Sequence, residues 1–110
     1  MAQWEKQLLE RKNNLKILKY LRKKYPKTFF HWGRSCQPLK IGIFNEVLEQ
    51  SPEIPKRELH QFFRAYCHRS SYRSALATKK YRIDLSGRKS GLITDDERQH
   101  VAPALMEKAA

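Results

Sequence analysis

The stretch Gln37 to Glu46, QPLKIGIFNE, decides the fold. Pro38 reads as a first-turn residue, because its missing N–H would be unpaired there in any case. The helix it opens runs to about Gln50, where Ser51-Pro52 ends it. Leu39, Ile43, Val47 and Leu48 share its apolar side, flanked by Ile41 and Phe44. Gly42 falls inside that helix at a cost of roughly 1 kcal/mol relative to alanine. A glycine there points to another backbone passing close by.

Upstream, residues 3–24 read as one long basic helix. Ile17, Leu18 and Leu21 form a stripe that Leu8 and Leu15 extend backward, and Pro26 stops it. Residues 1–13, with Trp4 and a thin stripe, read as a helical extension. The domain proper spans 14–103, and 104–110 form a tail. Phe29, Phe30 and Trp32, in a loop over 27–37, read as caps on the core ahead of base-stacking rings.

Downstream, Pro55 opens a third helix, PKRELHQFFRAYCH, that buries Leu59, Phe62, Phe63 and Tyr66. Lys56, His60 and Arg64 recur at four-residue spacing on another face. That row is either a solvated surface or a phosphate track. Residues 70–78, SSYRSALAT, form a short helix. The alternation in YRIDL then turns Tyr81, Ile83 and Leu85 inward and Arg82 and Asp84 outward. Ser86-Gly87 marks a hairpin turn, and the return strand reaches about Ile93 with a kink or bulge at Gly91. Thr94 to Glu97 is a capping box for a last helix that holds Val101 and Leu105 and is interrupted by Pro103. The fold class is α+β, mostly α-helical, with about five helices and one small β-hairpin.

Composition bounds the function. A chain of 110 residues fits one domain, and 40% hydrophobic residues suffice for one modest core. Lys and Arg number 23 against 11 acidic residues, a net charge of +12. A polyanion relieves that self-repulsion, and nucleic acid is favoured over a membrane surface. No apolar run approaches the ~18 residues of a membrane helix, and the N-terminus has no secretory core. A soluble, cytoplasmic protein is expected. Cys36 and Cys67 form no CxxC and read as reduced thiols. His31, His60, His68 and His100 show no metal-ligand spacing beyond the adjacent Cys67-His68 pair. P-loop, GxSxG and HExxH motifs are missing from the sequence. Neither metal, cofactor nor small-molecule substrate is expected, and the chain reads as no enzyme.

PLKIGIF, the helix stop at Tyr25-Pro26, the basic third helix, Tyr72 and the hairpin opening on Arg82 occur in one order at one spacing. That set resembles the ProQ/FinO family of bacterial RNA chaperones over roughly residues 14–103. The resemblance implies helices first, a late hairpin and a closing helix. It implies an RNA 3′-end pocket made by Tyr72 and Arg82, the ring stacking on the terminal base and the guanidinium reaching phosphate and sugar. It also implies phosphate contacts by Lys40, placed in the first turn of its helix, and by Lys56 and Arg64. His60 stands where many members have arginine. Arg69, Arg73, Lys79 and Lys80 are basic neighbours that the pattern does not single out. Ser70-Ser71 and Pro55 also depart from the pattern. The chain looks like a minimal, domain-only member and a monomer.

The function implied is a chaperone that binds structured small RNAs, intrinsic-terminator hairpins and mRNA 3′ ends. It would grip a hairpin with a single-stranded 3′ tail, protect it and promote pairing in post-transcriptional regulation. The alternative is a small helix-turn-helix DNA-binding regulator using residues 38–66, although its second helix has few base-reading side chains at its start.

Overall fold

In the computed structural model, which describes residues 2–30 and 36–99, QPLKIGIFNE divides into two parts. The first is extended. Pro38 O accepts the Ile83 N–H and the Lys40 N–H donates to Ile83 O, both at 2.8 Å, so Leu39 bridges to Ile83 in parallel. The chain then reverses in a turn closed by the Ile43 N–H on Lys40 O at 3.2 Å. Gly42 takes the third position of that turn at φ +83°, where a Cβ would be strained. Helix α2 (Ile43–Gln50) begins only after it. The helix expected from Pro38 is therefore shorter, because residues 38–40 bond across to Ile83 instead of along a helix. Gly42 is its N-cap and not an interior residue.

The remaining elements are α1 (Gln3–Lys24), α3 (Lys56–Cys67), α4 (Ser70–Thr78), β1 (Tyr81–Ile83), β2 (Lys89–Leu92) and α5 (Asp95–Gln99). The expected class holds: the described residues form five helices and one antiparallel hairpin, mostly helical. α1 stops where the Tyr25 N–H makes its last bond, to Leu21 O, because Pro26 has no N–H to continue the ladder. It runs unbroken through residue 13. Ile17, Leu18 and Leu21 are buried as expected, but Leu8 and Leu15 are 46% and 50% exposed, as is Trp4 at 65%. At 100° per residue they sit roughly a third of a turn away from the buried stripe.

α3 packs against α1, α2 and α4 and supplies the centre of the core. It buries Leu59, Phe62, Phe63, Tyr66 and Cys67, each large apolar side chain stabilising by about 1.5–3 kcal/mol. Phe29 joins them, its ring 5.7 Å from Tyr66, 6.1 Å from Phe63 and 6.3 Å from Phe62. It is a core residue, and Phe30 is half-buried. Trp32 and His31 lie outside the described residues, as do His100, Val101, Pro103, Leu105 and the tail.

The hairpin pairs Tyr81 with Leu92 and Ile83 with Lys89, with a register shift between them. Its turn presses on the end of the α1 connection: a Cβ on Gly87 would lie 2.5 Å from Lys27 Cβ. Thr28 Oγ1 also donates to Asp84 O at 2.9 Å. The alternation expected in YRIDL is corrected at two residues. Tyr81 is exposed, with Lys89 Nζ over its ring at 4.6 Å, whereas Arg82 is buried. Alternation assumes that one face of the strand meets water, and here α5 and α4 cover the face that holds Arg82. The capping box forms as expected: the Thr94 N–H donates to Glu97 Oε1 at 3.1 Å and the Glu97 N–H to Thr94 Oγ1 at 3.2 Å.

Candidate nucleic-acid interface

Ile83 takes up the backbone groups on either side of Leu39 and leaves Leu39's own N–H and C=O to side chains. The Leu39 N–H donates to the Tyr72 hydroxyl at 3.1 Å, and Leu39 O accepts from Arg82 Nη1 at 2.9 Å. Tyr72 arrives from α4 and Arg82 from β1. Two residues ten positions apart thus converge on one residue of the PLKIGIF segment. Both are covered, at 0% and 1% exposure. The Tyr72 ring packs on Tyr66 at 5.6 Å between centroids. Burial pushes its hydroxyl well above the ordinary phenol range, Cys67 adds to this, and the Leu39 N–H and Arg82 oppose it. The open stacking face expected of Tyr72 is corrected: the ring is a wall, pinned at its hydroxyl and backed by the aromatic core.

Arg82 is different in kind. Its Nε lies 3.6 Å from Glu97 Oε1, an ion-pair distance too long for a hydrogen bond. Its Nη2 is buried without a hydrogen-bond partner. A buried guanidinium with an unsatisfied donor is destabilising until an oxygen acceptor meets it. Beside it, burial pushes the Cys67 thiol up to about 12, against the lowering pull of Arg82. Cys36, also buried, lies with its Sγ 3.4 Å from Ser71 Oγ.

Of the basic candidates, Lys56, His60 and Arg64 all face solvent on one side of α3. The His60 ring meets Phe44 edge-on at 6.0 Å, which sets the start of α2 beside this row. Lys40 is not in a helical turn, which corrects its expected placement. It precedes the Gly42 turn and pairs with Glu46 at 3.2 Å, both half-exposed. Arg73, Lys79 and Lys80 are exposed, and Arg69 is partly covered. The structure brings Tyr72 and Arg82 into one constellation and Lys56, His60 and Arg64 into one row. Lys79 and Lys80 lead into β1.

Sequence reasoning missed two residues here. Glu97 was legible as a capping residue, but its approach to Arg82 spans fifteen positions and leaves no local signal. Arg98 Nη1 donates to the carbonyls of Leu76, Ala77 and Lys79 at 2.6, 2.9 and 3.1 Å, closing the end of α4. A basic residue satisfying the last carbonyls of a helix is a familiar cap, but it comes here from another helix.

Among the described residues, no helix is long and apolar enough to cross a membrane, and no group of three or more His, Cys, Asp or Glu side chains is placed to hold a metal. The model of the ProQ/FINO family matches residues 11–110. The RNA chaperone ProQ of Pasteurella multocida is 33% identical over 101 residues, covering 89% of this chain and 48% of that protein. The RNA chaperone ProQ of Aeromonas salmonicida is 33% identical over 99 residues, covering 87% and 47%. The chain therefore spans about half the length of these curated relatives. A FinO-like RNA chaperone from Neisseria meningitidis has the same fold, with a TM-score of 0.65 at 23% identity over 84% of this chain and 94% of that one. So does a ProQ homolog from Legionella pneumophila, with a TM-score of 0.67 at 22% identity over 88% and 87%. With the match covering nearly the whole chain, the protein belongs to the ProQ/FINO family.

Proposed function

We propose that this protein is a cytoplasmic RNA chaperone that holds structured RNAs at a terminator-like hairpin followed by a single-stranded 3′ tail. Occupancy of that end would shield it from exonucleases and keep the RNA available for pairing. The observation that carries the reading is the buried, incompletely satisfied guanidinium of Arg82 beside the Tyr72 wall. Such a group suits the oxygens of a terminal nucleotide, because its planar fork addresses two acceptors together. Lys56, His60 and Arg64 supply a row for phosphates of the adjoining stem, with Lys40 nearby and Arg69, Arg73, Lys79 and Lys80 as further cations. Such contacts position an RNA without reading its bases. The A-form major groove is too narrow to read, so structure outweighs sequence in the choice of RNA.

The test is binding of one hairpin with three ends: a free U-rich 3′ tail, no tail, and a tail continued into a second duplex. The tailed hairpin binds tightest, and Arg82→Ala removes most of that preference. Equal binding of all three, or displacement of hairpin RNA by duplex DNA at equal concentration, overturns the reading in favour of general polyanion or DNA binding.

A further inference from the structure

Three large apolar side chains left in water lie in one line on α1. Trp4, Leu8 and Leu15 are 65%, 46% and 50% exposed. They are spaced by four and then seven residues, which at 100° per residue holds them within about 40° of one another. Such spacing is the seam of a helix that lies alongside a second helix, and Arg11 fills its remaining position. Leu9 turns away from the seam, into a cleft with Arg57 and Gln61 of α3. The body of the protein leaves the seam uncovered, since α1 buries Ile17, Leu18 and Leu21 on another side. Residues 2–9 are exposed throughout, so the first two turns stand clear of the core. Helical turns without tertiary packing are marginal in water, and a helix seated on the seam would hold them. Trp4 and Leu8 also precede the residues matched by the family model, which begin at 11.

The charges beside the seam indicate what covers it. Arg11, Lys12 and Lys19 project within about 60° of its centre and are exposed. Among the described residues none of the three has an ion-pair partner. We infer that this face of α1 docks an acidic amphipathic helix of a protein partner. Apolar side chains of that helix meet Trp4, Leu8 and Leu15, and its carboxylates meet Arg11, Lys12 and Lys19. Tryptophan and arginine carry much of the binding energy at such interfaces. The stem of Arg11 packs on the apolar seam while its head reaches a carboxylate. A second copy of the chain fits less well, because it sets these cations against their own equivalents, and like charges in apposition discriminate against a partner. RNA meets the cations but brings no apolar ridge of helical spacing. A helix lying on a membrane needs a broad apolar face, and here cations flank a line of three side chains. The site is separate from Tyr72 and Arg82 and does not depend on where an RNA end lies.

The experiment uses the full chain and a labelled synthetic peptide of about three heptads, with leucine at the two seam positions and glutamate at the flanking ones. A peptide of the same composition in scrambled order carries the charge without the seam. The heptad peptide binds more tightly than the scrambled one by about tenfold, and salt weakens both. Trp4→Ala combined with Leu8→Ala lowers affinity for the heptad peptide by about tenfold or more, and Lys12→Glu lowers it severalfold. Leu92→Ala removes an apolar side chain as exposed as Trp4, on β2, and leaves it unchanged. The double variant keeps the wild-type Tm and the wild-type affinity for hairpin RNA, because its side chains are not part of the core. Equal binding of the two peptides, or a loss with Leu92→Ala as large as with the double variant, overturns the inference. Three further results overturn it by assigning the seam elsewhere. A double variant that loses hairpin RNA as strongly as it loses peptide gives the seam to RNA. Tighter, seam-dependent binding to phosphatidylglycerol vesicles gives it to a membrane. A wild-type chain that sediments as a dimer, with a monomeric double variant, gives it to a second copy.

Discussion

Leu39 is where single side chains decide most, because its peptide groups anchor Tyr72 and Arg82, the two residues proposed to meet the RNA end. Replacing Tyr72 with alanine would empty the core beside Tyr66 and confuse folding with binding. Tyr72→Phe isolates the hydroxyl. It leaves the buried Leu39 N–H without its 3.1 Å acceptor, and the expected loss of stability is about 1–3 kcal/mol, measurable by urea unfolding. An unchanged midpoint would mean that another acceptor reaches Leu39. Lys56 tests the exposed row. Lys56→Ala should weaken all hairpins alike and reduce the log–log salt dependence of binding by roughly one unit. A slope equal to wild type removes it from the phosphate track. Lys56 could be nominated from the sequence because helical spacing places it on the surface whatever else packs. The burial of Arg82 could not, since a strand's alternation is silent about a helix fifteen residues later that covers its outer face.

At the scale of elements, the segment before α2 carries the largest departure from what periodicity implies. Residues 39, 43, 47 and 48 have helical spacing, yet residues 38–40 pair with β1. A periodicity count cannot tell a helix from a helix entered through a bridge and a turn. The clue was Gly42, whose positive φ the turn requires. Gly42→Ala should cost about 1–2 kcal/mol and show as a lowered Tm; an unchanged Tm would mean that the turn adopts another conformation. The capping box at α5 is the opposite case, a local pattern that forms as written. Thr94→Ala should cost about 0.5–2 kcal/mol in the same assay. An unchanged Tm would mean that another group satisfies the first turn of α5.

Over the whole molecule, buried ionisable groups set the response to alkali. Cys67 titrates near 12 in the fold against 9.0 as an ordinary thiol, because burial disfavours the thiolate. Tyr66 and Tyr72 are raised by burial as well. The folded state holds these protons longer than the unfolded chain. For Cys67 that contribution is complete below pH 9.0 and declines as pH rises toward 12, and for the two tyrosines the decline begins only above 10.0. Stability by urea unfolding should therefore be flat near pH 8 and fall above pH 9, with a limiting slope of about 1.4 kcal/mol per pH unit for each such group. Cys67→Ala should make that decline shallower, and a decline as steep as wild type would mean that the thiol does not contribute. The sequence by itself determined the helix order, the stop at Pro26, the α3 core stripe, the hairpin turn and the cap at Thr94. Each depends on backbone chemistry or on spacing within a few residues. Only the tertiary structure decided that Pro38–Lys40 joins the hairpin, that Arg82 points inward and Tyr81 outward, and that Glu97 stands beside Arg82. Those outcomes turn on which surfaces from distant parts of the chain cover one another, and burial of that kind has no period.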